Sequence, residues 1–245
     1  MDINKIREGG MNLNSVILIP AYEPDEKLIN LVNDLFGLSF YKIIVVNDGS
    51  SEKCSYIFDI IKERFNCIII NHLQNRGKGF ALKTGMKEIL KMDKNIIGCI
   101  TVDADGQHLP KDILRMGETF ESNKHSLIMG CRDFQSKKVP AKSKIGNMIT
   151  RTIFKSITGK YLSDTQTGLR AIPKEYIDRF CVLRGDKYEF EINMLMEACR
   201  SNIDIQEIRI DTVYIDDNRS SHFKPVTDSI KIYKEILKFV YSIEQ

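Results

Sequence analysis

The sequence predicts an α/β fold in which a mostly parallel sheet is covered by helices on both faces. Two observations carry this prediction: short apolar runs alternate with amphipathic segments through the first 130 residues, and polar loops follow the apolar runs. Continuous apolar runs suit strands that are buried on both faces, which is typical of parallel sheets. Ligands bind beyond the carboxyl ends of the strands in such sheets, so the polar loops form the candidate site.

The predicted elements follow from the spacing of apolar residues. Strands are expected over residues 15–20, 42–47, 67–70, 95–102 and 126–130, with helices over 25–36, 52–64, 79–91 and 110–121. The second half is less regular, with helices expected over 143–157 and 188–200 and a strand over 205–213. From Val226 an apolar stripe predicts an amphipathic helix, which packs on the core, forms a dimer contact or lies on a membrane surface. No linker rich in proline or glycine divides the chain, so we expect one domain.

Composition narrows the classes of function. The 245 residues are 42% hydrophobic and 28% charged, and the net charge of +3 is too small to indicate a nucleic-acid partner. Six cysteines without a CxxC pair indicate a reducing compartment. No apolar run reaches the roughly 18 residues that a membrane-spanning helix requires, and the start of the chain lacks the apolar stretch of a secretory signal. These features predict a cytoplasmic protein.

Asp103 and Asp105 are the candidate metal ligands. Both follow the predicted fourth strand, and two carboxylates separated by one residue at a strand end can converge on one hard cation. The carbonyl of Gln107 and the phosphate oxygens of a ligand can complete an octahedral oxygen shell, as Mg²⁺ or Mn²⁺ prefers. The alternative is a solvated turn centred on Asp105 and Gly106.

Other polar loops add candidates for binding a nucleotide. Asp48 follows the second strand, where it either accepts a hydrogen bond from a nucleobase or serves only in a turn before the next helix. The segment Arg76–Gly79 opens the third helix and combines glycines, two cations and exposed helix N–H groups, which suits an anion cradle. Further phosphate candidates are Arg132, Lys142 and Lys144.

Three later segments carry polar side chains that are suited to a site. The loop 164–170 places Asp164 and Arg170 at its ends, with a glycine between them. Glu189 and Glu191 begin a predicted helix, where the helix dipole favours carboxylates and explains both residues without a catalytic role. The loop 218–223 combines a cation, hydroxyls and an imidazole ahead of the last helix.

In their order along the chain, these loops resemble the motifs of family 2 glycosyltransferases, which have the GT-A fold, a Rossmann-like α/β fold. Within this family, the sequence most resembles the branch that contains dolichyl- and polyprenyl-phosphate sugar synthases. The resemblance covers residues 15–233 and rests on six motifs: Ile19-Pro-Ala-Tyr-Glu23, Val46-Asn-Asp-Gly-Ser50, Asn75-Arg-Gly-Lys-Gly-Phe-Ala81, Asp103-Ala-Asp-Gly-Gln-His108, Gly130-Cys-Arg132 and Asp164-Thr-Gln-Thr-Gly-Leu-Arg170. Each motif alone is weak evidence, but the ordered set is specific.

The resemblance implies a role for each loop. The donor half would span 13–132 and the acceptor half 133–225, after a flexible leader over 1–12 and before an amphipathic helix over 226–245. The nucleoside pocket would be lined by Pro20, Ala21, Tyr22, Glu23 and Asp48, with Glu23 on the ribose and Asp48 on the base. The metal-bound diphosphate would meet Asp103, Ala104, Asp105 and Gln107, assisted by Lys78 and Arg132. Asp164 and Arg170 would shape the acceptor side.

The chain departs from the family pattern in two places. After Ala-Tyr the family continues with Asn-Glu, whereas here Glu23 occupies the Asn place and Pro24 the Glu place. The ribose ligand is therefore open among Glu23, Asp25 and Glu26. Asn47 replaces the first Asp of the usual Asp-Asp-Gly-Ser motif, which removes one charge and leaves the second Asp in place.

The implied reaction is an inverting transfer of a sugar from a UDP- or GDP-sugar to a polyprenyl phosphate or a glycan hydroxyl, in the synthesis of cell-envelope polysaccharide. Mg²⁺ or Mn²⁺ would neutralise the departing diphosphate. The candidate catalytic residues are Asp105, Glu189, Glu191, Asp164 and Arg170. A hydroxyl acceptor would require a general base, for which Glu189, Glu191 and Asp164 are candidates, whereas a lipid phosphate is largely ionised already.

Two other classes of function are consistent with parts of the pattern. A nucleotidyltransferase uses a similar sheet, but it usually carries a glycine-rich basic loop after the first strand, where this chain has Pro20–Glu23. A catalytically weak module that only binds nucleotide sugars is the second. Contact with the inner face of the cell membrane and a homodimer are further expectations, both tied to the C-terminal helix.

Overall fold

The computed structural model describes residues 13–38, 40–134 and 141–211. Its strands are β1 (Leu13–Ala21), β2 (Phe40–Asn47), β3 (Ile68–Asn71), β4 (Gly98–Thr101), β5 (Leu127–Arg132), β6 (Arg170–Pro173) and β7 (Ile205–Ile210). Its helices are α1 (Glu26–Phe36), α2 (Ser55–Phe65), α3 (Lys78–Leu90), α4 (Pro110–Ser122), α5 (Ala141–Thr158), α6 (Lys174–Cys181) and α7 (Glu189–Arg200), with a 3₁₀ turn over Glu52–Cys54.

The seven strands form one sheet in the order β3-β2-β1-β4-β6-β5-β7. Strand β6 runs antiparallel to both neighbours, β4 and β5, and every other described pairing is parallel. The prediction of a mostly parallel α/β sheet is therefore confirmed. The antiparallel strand brings the segment before Arg170 back to the edge at which the parallel strands end.

The central strand β1 shows why its sequence is a continuous apolar run. Val16 and Leu18 pack into the core on one face of the sheet, and Ile17 and Ile19 pack into the core on the other. All four side chains are fully buried. Because both faces are covered, neither set of alternate residues over 16–19 faces solvent, and this stretch of the strand is entirely apolar.

A glycine directly precedes helix α3, and the backbone conformation at that position requires it. Gly77 precedes the helix with φ +103°, a region that other residues rarely adopt, and a Cβ there would overlap the carbonyl of Asp186. This tight passage places Lys78 in the first turn of α3, against the loop before α7.

The prediction from sequence missed two elements and misplaced one end of two others by three residues. β6 and α6 were not predicted, the predicted strand 95–102 is limited to Gly98–Thr101, and the strand predicted over 205–213 ends at Ile210. The leader 1–12, the loop 218–223 and the C-terminal helix 226–245 lie outside the described residues. No helix in the described ranges is both long and apolar enough to cross a membrane.

Candidate active site

Loops that follow the parallel strands meet at one edge of the sheet, as the sequence predicts. β1 and β2 end together, since Ala21 pairs with Asn47, and the amide of Asp48 donates to the Ala21 carbonyl (2.8 Å). Asp103 follows β4 by two residues, and Arg132 is the last residue of β5. The polar side chains of these loops therefore lie at the carboxyl edge, where ligands bind in parallel sheets.

Asp103 belongs to a small network of ion pairs. Nζ of Lys78 lies 2.7 Å from Oδ1 of Asp103 and 3.0 Å from Oε2 of Glu191, so one ammonium group bridges two carboxylates. The side chain of Asp103 is 30% exposed, against 17% for Lys78 and 11% for Glu191, which leaves Asp103 the most open to a ligand. Lys78 lies in the first turn of α3 and Glu191 in the first turn of α7, so two helix starts converge here.

Burial and charge shift the pKa values of these groups in opposite directions. Burial opposes the ionisation of Asp103, yet the charge of Lys78 and the contact with His108 hold its pKa well below the ordinary range. Burial would lower the pKa of Lys78, but the carboxylates of Asp103 and Glu191 raise it above the ordinary value. Burial and then the charge of Asp103 raise the pKa of Asp105. A divalent cation beside Asp103 and Asp105 would remove that repulsion.

Two neighbours of Asp103 have no role in the prediction from sequence. His108 is 6% exposed, its Nε2 lies 3.4 Å from Oδ2 of Asp103, and neither ring nitrogen has a hydrogen bond within the described part of the chain. Gly168 lies against the same carboxylate, where a Cβ would overlap its oxygens. The position of His108 at the end of the aspartate motif could have indicated its contact with Asp103. The contact between Gly168 and Asp103 could not be predicted from the sequence, because the two residues are far apart along the chain.

Asp48 holds the turn that precedes α3. Its Oδ1 accepts a hydrogen bond from the amide of Arg76 (3.0 Å), and its Oδ2 accepts one from the amide of Gly77 (2.7 Å). Nδ1 of His72 lies 2.7 Å from Oδ1 of Asp48, and Nε2 of the same ring lies 3.0 Å from Oγ1 of Thr84. Since the Asp48 side chain is only 3% exposed, it fixes the backbone of the predicted anion cradle. Its contact with a nucleobase stays a prediction.

Glu23 links the loop after β1 to the loop after β2. Its backbone has φ +46°, its amide donates to Oγ of Ser50 (3.0 Å), and its Oε1 accepts from the amide of Ser51 (2.5 Å). Tyr22 beside it is 39% exposed, and the side chain of Asp25 caps the start of α1. Two of the carboxylates left open as ribose ligands therefore have partners within the protein, Asp25 at the start of α1 and Glu23 in the loop after β2.

The loop 163–168, called here the acceptor-side loop, is held by an arginine–carboxylate pair. Asp164 is fully buried, and Nε and Nη2 of Arg132 lie 2.7 and 3.0 Å from its two oxygens. The amide of Gln166 also donates to Oδ1 of Asp164 (3.0 Å). The bidentate geometry fixes the direction of the guanidinium group. Arg132 and Asp164, which the sequence places on separate loops, therefore act as one unit.

Arg170 supports the acceptor-side loop from inside the fold. It is 1% exposed, and its guanidinium group donates to the carbonyls of Thr165, Thr167 and Glu191 (3.4, 3.0 and 2.5 Å). Burial lowers its pKa, although the carboxylates of Glu191 and Asp164 oppose that shift. Through these hydrogen bonds to backbone carbonyls Arg170 joins the acceptor-side loop to the start of α7, and its catalytic role stays a prediction.

The two glutamates at the start of α7 have different surroundings. Oε1 of Glu189 accepts from the amides of Asp186 and Lys187, at 3.2 Å each, so this carboxylate caps the loop into the helix. Glu191 instead faces Lys78 and the ion-pair network. The contacts of Glu189 are those of a carboxylate at a helix end, whereas Glu191 has an ionic partner as well; a catalytic role for either residue stays a prediction.

The other predicted site residues lie around this network. Pro20 and Ala21 end β1, Ala104 is partly buried between the two aspartates, and the amide of Gln107 donates to Oδ1 of Asp105 (3.0 Å). Lys144 lies in the first turn of α5, whereas the side chain of Lys142 is outside the described part of the chain.

The donor set at the two aspartates suits a hard cation. Within the described residues, no group of three or more His, Cys, Asp and Glu side chains is arranged to hold a metal ion. Two carboxylates leave most positions of an octahedral shell to other oxygens, such as those of backbone, water or substrate. Mg²⁺ is bound in this way, through one or two carboxylates and the phosphates of a substrate.

Sequence comparison identifies the family. A model of glycosyl transferase family 2 matches residues 16–182. A UDP-N-acetylglucosamine–dolichyl-phosphate N-acetylglucosaminyltransferase of Methanococcus voltae is 31% identical over 218 residues, which cover 81% of this chain and 85% of that protein. A dolichyl-phosphate β-glucosyltransferase of Dictyostelium discoideum is 27% identical over 249 residues, which cover 93% of this chain and 74% of that protein.

Structural comparison agrees with the predicted fold. The chain is similar to glucosyl-3-phosphoglycerate synthase from Mycobacterium tuberculosis, which was crystallised with Mn²⁺, uridine diphosphate and phosphoglyceric acid. The TM-score is 0.68 at 13% identity, and the match covers 98% of this chain and 82% of that one. The prediction of the GT-A fold is confirmed, and the alternatives of a nucleotidyltransferase and a non-catalytic module are set aside. This chain is a glycosyltransferase and belongs to glycosyl transferase family 2.

Proposed function

We propose that the protein transfers a sugar from a nucleotide sugar to a polyprenyl phosphate, with inversion at the anomeric carbon. The observation that carries this proposal is that each candidate general base is already engaged. Glu191 pairs with Lys78, Asp164 pairs with Arg132, and Glu189 caps the start of α7. A hydroxyl acceptor would have to displace one of these partners before a carboxylate could come within hydrogen-bond reach of its proton. A phosphate acceptor is largely ionised near neutral pH and needs no base.

The relatives support the same acceptor class and suggest the first donors to test. The Methanococcus and Dictyostelium proteins are named for transfer to dolichyl phosphate, and their similarity extends over most of this chain. The name of the Methanococcus protein specifies UDP-N-acetylglucosamine as the donor. UDP-linked sugars are therefore the leading donors for this protein, and GDP-linked sugars come second.

Asp103 and Asp105 would hold the divalent cation, with the carbonyl of Gln107 as a further donor. When bound, Mg²⁺ or Mn²⁺ supplies Lewis-acid stabilisation of the charge that develops on the nucleoside diphosphate. The two carboxylates differ before any ligand arrives: among the described residues Asp103 has Lys78 as a counter-ion, whereas Asp105 accepts a hydrogen bond from the amide of Gln107. A bound cation would therefore stabilise the ionised form of Asp105 more than that of Asp103.

The protein also supplies two cations of its own, Lys78 and Arg132. Lys78 lies beside Asp103 at the start of α3, where the positive end of the helix dipole also favours an anion, so we assign it to the donor diphosphate. Arg132 is aimed by Asp164 on the acceptor-side loop, so we assign it to the acceptor phosphate. Glu23 with Ser50 and Ser51 is the proposed ribose side of the nucleoside pocket.

An assay of sugar transfer tests this function. The purified chain is incubated with Mn²⁺, with labelled UDP-N-acetylglucosamine, UDP-glucose or GDP-mannose, and with a polyprenyl phosphate in detergent. We expect label from one donor to enter the lipid phase, and chelation of the metal to stop it. Release of the label only as free sugar, or retention of full activity in a chelator, would contradict the proposed reaction.

A further inference from the structure

The segment around α5 has an unusual distribution of charge. Between Asp133 and Asp164 the sequence contains no acidic residue, although acidic and basic residues are nearly balanced in the whole chain. Seven basic residues lie in the same interval: Lys137, Lys138, Lys142, Lys144, Arg151, Lys155 and Lys160. A region of one charge sign in an otherwise balanced protein attracts a partner of the opposite sign.

The inner face of α5 holds the acceptor-side loop. Asn147 is 1% exposed, its Nδ2 donates to the carbonyl of Ser163 (2.9 Å), and its Oδ1 accepts from the amide of Thr165 (3.3 Å). Oγ1 of Thr150 accepts from Nε2 of Gln166 (3.3 Å). The helix is therefore bound to the loop that carries Asp164 and lies next to the side on which an acceptor would arrive.

The outer face of α5 combines apolar and basic side chains. Met148 and Ile149 are 50% and 41% exposed, and Lys155 lies exposed farther along the helix. Tyr161, in the loop after the helix, is 55% exposed. Arg151 and Lys155 lie over its ring, at 5.6 and 5.9 Å from the ring centroid. Exposed aliphatic side chains, a tyrosine ring and long cationic side chains are the composition of a surface that rests at the headgroup level of a bilayer.

We propose that this outer face, formed by Met148, Ile149, Arg151, Lys155 and Tyr161, docks on an anionic lipid surface. The proposal rests on the proposed function, because a polyprenyl phosphate is delivered from a bilayer. Anionic lipids attract basic residues within a Debye length, and residues 134–163 contribute no acidic side chain of their own to weaken that attraction. Since the inner face of the same helix holds the acceptor-side loop, docking would bring that loop to the headgroups.

Co-sedimentation with lipid vesicles tests the docking surface. The double variant Arg151→Glu/Lys155→Glu is compared with the matched control Lys62→Glu/Arg64→Glu, which makes the same change in net charge on the exposed side of α2. One set of vesicles is phosphatidylcholine, and the other adds phosphatidylglycerol. The unmodified protein should bind the anionic vesicles more tightly, and the double variant should lose on the order of tenfold or more in affinity, because each basic residue near the surface contributes about fivefold. The control should bind like the unmodified protein.

A water-soluble acceptor distinguishes a failure of membrane docking from a failure of the proposed sugar transfer. With a short-chain, water-soluble polyprenyl phosphate, the Arg151→Glu/Lys155→Glu variant should transfer sugar at the unmodified rate, whereas its rate on acceptor embedded in anionic vesicles should fall with its binding. Equal vesicle binding by this variant and the unmodified protein would overturn the docking surface. A concentration-dependent dimer that the double variant disrupts would also overturn it, in favour of a second copy of the chain. Absence of transfer to the soluble acceptor by the unmodified protein would instead count against the proposed function.

Discussion

Replacing Asp105 with alanine is expected to slow sugar transfer by on the order of 10²–10³-fold, the loss typical of removing one group that stabilises a developing charge. The fold should tolerate the change. Burial and the charge of Asp103 raise the pKa of Asp105, so its ionised form is opposed by its surroundings. Within the described part of the chain the substitution removes one hydrogen bond, from the amide of Gln107, and the free energy of unfolding should change by no more than about 1 kcal/mol.

Thermal unfolding with and without ligand separates a loss of ligand binding from a loss of stability of the fold. The unmodified protein should be stabilised by Mn²⁺ with a nucleoside diphosphate, and Asp105→Ala should not, because a ligand stabilises only the fold that binds it. Asp93→Ala is a matched control, since Oδ1 of Asp93 accepts from the amide of Asn95 (2.8 Å) in the same kind of turn, away from the site. Retention of metal-dependent transfer by Asp105→Ala would remove this carboxylate from the cation site.

Replacing Lys78 with methionine should strengthen the binding of Mn²⁺ alone and weaken the binding of Mn²⁺ together with a nucleotide. The ammonium group of Lys78 lies 2.7 Å from Asp103 and competes with a divalent cation for that carboxylate. Its removal should tighten the binding of Mn²⁺ alone by on the order of tenfold, which corresponds to about 1.4 kcal/mol. The same change removes the cation proposed for the donor diphosphate, so binding of Mn²⁺ with UDP should weaken and turnover should fall by on the order of 10²-fold.

Calorimetric titration of Mn²⁺, with and without UDP, measures both effects. Lys83→Met provides the control, because Lys83 is a second buried lysine of α3 whose ammonium group contacts the carbonyl of Gly185 (2.7 Å) and Oδ1 of Asp186 (3.3 Å). It should leave both affinities unchanged. If Lys78→Met weakened both kinds of binding equally, or changed neither, Lys78 would not be the exchangeable partner of Asp103.

The first half of the fold could be predicted because its strands are continuous apolar runs. A strand such as β1 buries both faces, so its composition alone marks it. β6 could not be found in this way. It has four residues, begins with the buried Arg170 and ends with Pro173, and its place in the sheet depends on hydrogen bonds to β4 and β5 that no local pattern records. The tertiary pairing overrode the local signal.

The candidate site could be predicted as a set of loops but not as a set of contacts. Parallel strands end at one edge, so Asp48, Asp103 and Arg132 could be expected there. The contact between Lys78 and Glu191 joins residues 113 apart in the chain, and no spacing rule reports it. For the same reason the sequence left two helix-end glutamates equivalent, whereas the structure places only Glu191 in the ion-pair network.

The acceptor class can be decided by one comparison, between a polyprenyl phosphate and the polyprenol of the same chain length. Both are supplied at equal concentration in detergent with Mn²⁺ and the preferred donor, and labelled lipid product is measured over time. Because Glu191, Asp164 and Glu189 are all engaged, we expect the phosphate to be glycosylated and the alcohol to give no product above background. Glycosylation of the alcohol at a comparable rate would show that a general base acts in this site and would contradict the proposed reaction.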